Sequence, residues 1–281
     1  MSSYTIRKFK DRLVFSLAFF CVVIAIIPLG SILFEVVRNG APALSIEFLT
    51  QTPGPVGQPG GGIANAIEGT LILIGFTCLI GVPLGVMSGI YLSEYGDNKF
   101  GRTVRFFNDV LAEFPSIVVG IFVYVFVVLA LGSFSVIAGA ISLAIIMLPV
   151  VSRTTEESLK LVPNSIREAS MALDIRRWRT IVSVVLSTGR GGIITGVMLS
   201  VARIAGETSP LIMTILGSQW FFAGFNQPMD ALSLRVWRLA LLPYDYAHQQ
   251  GWGAALVLIM IVLTLNVVVS IVTKGRYRTR G

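Results

Sequence analysis

Six long apolar stretches alternate with shorter polar segments along the chain: Leu13 to Val37, Gly69 to Leu92, Phe114 to Leu131, Val136 to Val151, Gly191 to Leu216 and Gly253 to Val272. A bilayer-spanning helix needs about 20 mostly apolar residues, so each stretch predicts one span, the fourth being the shortest. The segment between the fourth and fifth spans has a different pattern. Ser165 and Glu168 have the spacing of a capping box, which predicts a helix beginning at about Ile166 with Ala169, Ala172 and Leu173 as a small apolar face. Asp174 predicts a turn, because Asp tolerates the left-handed backbone region and caps a following helix. Trp178, Ile181, Val182 and Val185 then fall at i, i+3, i+4 and i+7, the period of a second amphipathic helix, flanked by Arg176, Arg177 and Arg179.

Composition supports a membrane protein. Hydrophobic residues make up 54% of 281 positions and charged residues 13%, with a mean hydropathy of +0.79, which is more apolar material than one soluble core buries. With the N-terminus placed in the cytoplasm, 18 of the 22 Lys and Arg fall in the inner segments (residues 1 to 12, 95 to 110, 152 to 190 and 273 to 281). The outer loops hold Arg38, Arg235 and Arg238. This asymmetry predicts that both termini are cytoplasmic, and it accounts for the net charge of +7 without nucleic-acid binding. Leu13 to Phe34 follows four basic residues as a secretory signal would, but its length predicts a retained first span. Cys21 and Cys78 both fall inside spans, which gives no disulfide or metal inference.

Pro53-Gly54-Pro55, Pro59 and Gly60-Gly61-Gly62 interrupt regular structure before the second span. They divide the chain into an N-terminal tail, span and external loop (residues 1–62) and a working core (63–275). No Gly-Lys-Ser/Thr follows the glycine run, so any ATP that is used is hydrolysed on another subunit. Gly81, Gly85 and Gly89 share one helix face and predict close helix packing. Pro28, Pro83, Pro149 and Pro210 predict kinks. The loop from Gly217 to Trp252 is rich in Trp, Phe and Tyr and contains the amphipathic run Leu232 to Leu241. It suits either an interfacial belt or a landing surface for an external partner. His248, the single histidine, lacks neighbouring metal ligands.

Arg203 and Glu207 lie inside the fifth apolar stretch, where a charge at the bilayer centre costs roughly 2.5 to 3.5 kcal/mol on insertion scales. At about 1.5 Å per residue, Arg203 is roughly 18 Å from Gly191, near the midplane, and helical spacing puts Glu207 one turn further out on the same face. Two readings fit: a self-neutralising pair that bridges helices, or a gate on an anion path. Guanidinium offers a planar fork matched to phosphate oxygens, and Thr208 and Ser209 add hydroxyl donors. The basic helical segment from Glu168 to Val185 likewise fits either a groove in a soluble partner or an anionic lipid surface.

Glu168-Ala169-Ser170, Asp174, Val184 and Leu186 resemble the Glu-Ala-Ala, Gly, Ile-x-Leu-Pro signature of ABC importer permeases, with Ser170, Asp174, Val184 and Ser187 departing from it. Asn65-Ala66-Ile67, Gly89 to Gly96, Arg105 to Asp109, Pro115 to Gly120, Arg153 to Glu156, Lys160 to Pro163 and above all Ala202 to Pro210 are similar to the PstA-type permeases of bacterial phosphate importers, over about residues 60 to 275. The resemblance implies an all-α integral membrane protein of type I ABC importer permease architecture in the bacterial plasma membrane. It implies that the loop of about residues 152–190 couples to an ATPase, here through Glu168, Ala169, Leu173, Asp174, Arg176, Arg177 and Trp178. It further implies a PstC-type permease partner, two copies of a nucleotide-binding subunit that use ATP and Mg, and an external phosphate-binding protein. No cofactor is expected on this chain. A permease for sulfate or molybdate, or a membrane subunit signalling phosphate status, are the alternatives.

Overall fold

The computed structural model describes the backbone of residues 3–275 and the side chains of residues 7–271, so the basic C-terminal residues 276–281 of the charge argument lie outside the described residues. The described chain is helical, with ten principal helices: α1 (Ser3–Gly40), α2 (Ala64–Tyr95), α3 (Lys99–Glu113), α4 (Ser116–Leu131), α5 (Val136–Lys160), α6 (Asn164–Ala172), α7 (Arg177–Ala205), α8 (Ser209–Thr214), α9 (Leu232–Ala240) and α10 (Asp245–Gly275). Five of them, α1, α2, α5, α7 and α10, are individually long and apolar enough to cross a membrane. The third predicted span is α4, to which the amphipathic α3 is joined at a bend of 104° around Phe114 and Pro115. All six predicted spans therefore have helical counterparts.

The fifth span departs from expectation. Instead of one helix from Gly191 to Leu216, α7 begins at Arg177 and ends at Ala205, the chain breaks at Gly206–Thr208, and the short α8 follows. The predicted second amphipathic helix is thus the first turns of α7, not a separate element, joined to the rest through a π-turn at Ile181–Val185. Pro210 supplies a cause of the break: with its fixed φ and missing N–H it fits the first turn of a helix and disfavours continuing one through it. The predicted cap of the preceding helix is also corrected. α6 starts at Asn164, directly after Pro163, without a side-chain cap, so Ser165 lies inside its first turn. Asp174 does take the left-handed conformation, at φ 56°, but the residue at the start of α7 is Arg176 and no side chain caps it.

The core is a parallel α2–α5 pair with α7 packed antiparallel along α5. Gly81, Gly85 and Gly89 face Met147, Val151 and Thr155, and a Cβ on Gly89 would lie 2.5 Å from the Thr155 Cβ and 2.6 Å from the Ser152 carbonyl oxygen. Gly189, Gly192 and Gly196 of α7 meet Leu159, Ser158 and Thr154 of α5 in the same way. Continued at equal rise, this register sets Arg203 level with Met147, the middle of α5. Leu73, Leu143, Met147, Val151, Ile204, Leu211, Ile215, Met229 and Leu234 form the main buried cluster. One end of the bundle carries Lys160, Arg167 and Arg177 (the basic end), and the other carries Trp220, Trp237 and Trp252 (the aromatic end). At the aromatic end Pro53 pairs with Gly61 and Leu216 with Met229 as isolated bridges.

Because Gly89 has no room for a side chain, Gly89→Val should destabilise the helix pair by about 1–3 kcal/mol through overpacking, lowering the melting temperature in detergent. Gly75→Ala on the same helix, where nothing lies within 4 Å, should leave it unchanged.

Candidate functional site

Arg203 occupies the last turn of α7, where the exposed carbonyls of a helix C-terminus favour a cation. The Gly206 and Glu207 amides bond back to the Arg203 and Ile204 carbonyls at 3.1 and 3.2 Å and close the turn. Glu207 is in the break, so the pair is not a same-face helical pair as expected; the break itself brings the carboxylate back. Arg203 Nε lies 3.6 Å from Glu207 Oε1, with the guanidinium side chain 47% exposed and the carboxylate side chain 16% exposed. That separation lies beyond hydrogen-bond distance, and the two groups attract electrostatically while the exposed guanidinium keeps donors for another ligand. Thr208 and Ser209 follow in the turn into α8, both half-buried, and the Thr208 carbonyl accepts the amides of Leu211 and Ile212 at 3.1 Å. Pro210 is buried against Gly120 of α4, where a Cβ would approach the Pro210 Cα to 2.7 Å. Arg203, Glu207, Thr208 and Ser209 are therefore brought together at a mid-depth helix break.

Glu168, Ala169, Leu173, Asp174, Arg176 and Trp178 are exposed at the basic end, more than 20 residues along the chain from that break. Leu173 is 75% and Trp178 55% exposed, and with the exposed Met171 and Ile175 they form an apolar knob with a basic rim. The predicted stripe of α7 divides: Ile181 and Val185 are buried and Trp178 and Val182 point outward. Arg177 turns back onto its own chain, its guanidinium 4.4 Å from the Tyr95 ring centre and donating to the Glu94 carbonyl.

Several residues that fix this knob were quoted in the sequence only as parts of motifs. Arg167 pairs with the buried Glu94 carboxylate at 2.9 Å and donates to the Leu159 and Val162 carbonyls. The Ser170 and Thr180 hydroxyls meet at 2.9 Å in a buried position, so the serine that departs from the permease signature joins α6 to α7. Beside them, Glu156 accepts from Arg105 at 2.8 Å and Lys160 at 2.6 Å, while Arg105 also holds the Leu92 and Gly96 carbonyls at the end of α2. At the aromatic end, Asp230 and Arg235 form a fully buried ion pair. Burial pushes the Asp230 carboxyl above the usual carboxylate range, with Arg235 and Arg238 pulling it down, and burial lowers Arg238. A helical wheel carries the signal for this pair: Leu232, Arg235 and Leu239 share one face, so an arginine sits on the apolar side of α9 and calls for a nearby acid.

The family of binding-protein-dependent transport system inner membrane components matches residues 81–275. The phosphate transport system permease protein PstA of Pasteurella multocida is 43% identical over 93% of this chain and 93% of that protein, and that of Yersinia pestis is 40% identical over 95% and 90%. The chain belongs to this permease family, in its PstA branch. The fold agrees. A chain of the MetNI methionine ABC transporter in an inward-facing conformation superposes with a TM-score of 0.61 at 17% identity, covering 76% of this chain and 94% of that one. A chain of a bacterial alginate ABC transporter in complex with its alginate-bound periplasmic protein gives 0.65 at 15% identity, covering 91% and 93%. This is a multi-pass membrane permease with the type I ABC importer architecture, and in this family ATP hydrolysis belongs to separate subunits.

Since Arg167 is the main tie between α6 and α2, Glu94→Ala should leave that guanidinium half-buried beside carbonyls alone and loosen the segment 161–176. Limited proteolysis of the purified protein should cut there faster than in wild type, with cleavage at residues 41–63 unchanged.

Proposed function

We propose that this chain is the permease subunit of an ATP-driven phosphate importer in the bacterial plasma membrane, with residues 1–62 as an N-terminal anchor, residues 63–275 as the transporting core, and both termini cytoplasmic. It forms the inorganic phosphate path together with a homologous PstC-type permease. Two copies of a nucleotide-binding subunit, with ATP and Mg, energise it, and an external phosphate-binding protein delivers the anion to the aromatic end. The names and identities of the PstA relatives support phosphate over other oxyanions and over a signalling role.

The observation that carries the mechanism is the Arg203–Glu207 pair in the broken fifth span. Phosphate leaving water needs a cation and hydrogen-bond donors, which guanidinium supplies in a planar fork, and discontinuous membrane helices are a recurrent way of building such a site at mid-depth. An arginine alone would hold the anion. Glu207, 3.6 Å away, competes for the same guanidinium, so the pair closes the path at rest, yields when phosphate arrives, and re-forms to release it. Thr208 and Ser209 offer further hydroxyl donors. The stroke enters at the knob: Glu168, Ala169, Leu173, Asp174, Arg176 and Trp178 present the surface to the ATPase, and Arg177 holds that surface to Tyr95. It reaches Arg203 along one helix, because α7 runs unbroken from Arg177 through the π-turn at Ile181–Val185 to Ala205, roughly 43 Å at about 1.5 Å per residue.

Arg203→Ala should reduce ATP-driven phosphate uptake into proteoliposomes by at least about 100-fold while the complex still assembles, and Arg203→Lys, which keeps the charge and loses the fork, should retain a minor fraction. Wild-type uptake by Arg203→Ala would refute the pathway role, and equal inhibition of wild-type uptake by sulfate and by unlabelled phosphate would refute the substrate.

A further inference from the structure

Breaking a helix at mid-depth frees carbonyls that have no water to donate to them, so each needs a donor from elsewhere in the protein. For Glu207 that donor is external to the span: the Ser233 hydroxyl, in the first turn of α9, donates to the Glu207 carbonyl at 2.9 Å. Ser233 is itself buried. Its helix is anchored on both sides of it. The Leu232 amide donates to the Thr70 hydroxyl of α2 at 2.8 Å in a buried position, supplying from another helix the cap that Ala231 lacks. Asp230 and Arg235 then lock the start of α9 through their buried ion pair, and Arg235 with Asn65 of α2 shares the Ser218 carbonyl, at 3.2 and 2.7 Å. The backbone of the gate acid is thus held by a short helix fixed to α2, on the side of the molecule opposite the knob.

We propose that Ser233 is a positioning residue of the anion gate: by holding the Glu207 carbonyl from α9, it sets how closely the Glu207 carboxylate can approach Arg203, and so how firmly the path is shut when no ATP stroke is delivered. The inference rests on the reading of Arg203 and Glu207 as a phosphate gate. A serine here has a specific advantage over an apolar residue of similar size. It leaves the Glu207 side chain free to swing while its main chain stays fixed, which a closing carboxylate requires. Losing a single neutral hydrogen bond loosens such a hold by about two- to tenfold in population, small enough for assembly to survive.

The test uses the assembled complex in proteoliposomes loaded with radiolabelled phosphate, with ATP-free efflux measured beside ATP-driven uptake. Ser233→Ala should raise ATP-free efflux about two- to tenfold and raise the KM for uptake, at unchanged complex yield and melting temperature, and Ser233→Thr, which restores the hydroxyl, should return both to wild type. Thr70→Val, which removes the anchor of α9 without touching Ser233, should change efflux in the same direction. Unchanged efflux and KM in Ser233→Ala would overturn the proposal, as would a defect that Thr fails to rescue or that follows loss of assembled complex. Normal efflux in Thr70→Val would overturn the anchoring through α2. Arg203→Ala separates the two levels: if it abolishes uptake while Ser233→Ala is silent, this inference alone falls, and if it transports normally, the gate reading falls with it.

Discussion

The structure depends on one constraint: inside hydrocarbon every backbone polar group must be satisfied by protein, and this chain interrupts a membrane helix at Gly206–Thr208 regardless. The interruption is tolerable because groups freed at it find partners within α7 and on α9. The Gly206 and Glu207 amides fold back on α7, Arg203 lies in the last turn of the same helix, and the Glu207 carbonyl is taken up by Ser233. A break satisfied in this way can hold two charged side chains at mid-depth, which an unbroken apolar helix would have no reason to do. The same break ends α7 at the site and lets α8 pack by itself against Gly120.

Around that break the fold is stiff where a stroke would be carried and clasped where it would arrive. Glycine-mediated packing joins α2, α5 and α7 with little side-chain slack, so displacement at one end of a helix is transmitted along it. At the basic end, two buried carboxylates, Glu94 and Glu156, gather Arg167, Arg105 and Lys160 and fasten α6 and α3 to the ends of α2 and α5. Partner removal from such pairs is far more damaging than the net worth of the pair, which makes them fixings for the exposed Leu173 and Trp178 knob. At the aromatic end the Asp230–Arg235 pair ties the chain entering α9 to α9 itself.

Much of this was legible in the sequence because hydropathy and charge asymmetry act over whole segments. The six spans follow from runs of apolar residues, the close-packing face of α2 from the four-residue spacing of Gly81, Gly85 and Gly89, and the left-handed turn from Asp174. The family was readable from Ala202 to Pro210. Local periodicity failed where two elements share one pattern. The amphipathic stripe from Trp178 to Val185 read as a separate helix because nothing in its spacing distinguishes an isolated helix from the projecting end of a span. The capping box at Ser165 was overruled by Pro163, which permits helix from the next residue onward. The break after Ala205 was missed because the stretch stays apolar through it, with Pro210 read only as a kink. Long-range ties such as Arg167–Glu94, Arg105–Glu156 and Ser233–Glu207 join residues 26 to 73 positions apart, and no local pattern encodes them.

The central claim is that phosphate passes by displacing Glu207 from Arg203. The most direct measurement is a structure of the assembled complex with phosphate trapped in the permease, by substituting an ATPase residue so that hydrolysis stalls. The account predicts phosphate oxygens within about 3 Å of the Arg203 guanidinium, at the break between α7 and α8, with the Glu207 carboxylate moved away and its carbonyl still on Ser233. Phosphate bound elsewhere in the membrane, with the Arg203–Glu207 pair intact, would contradict it.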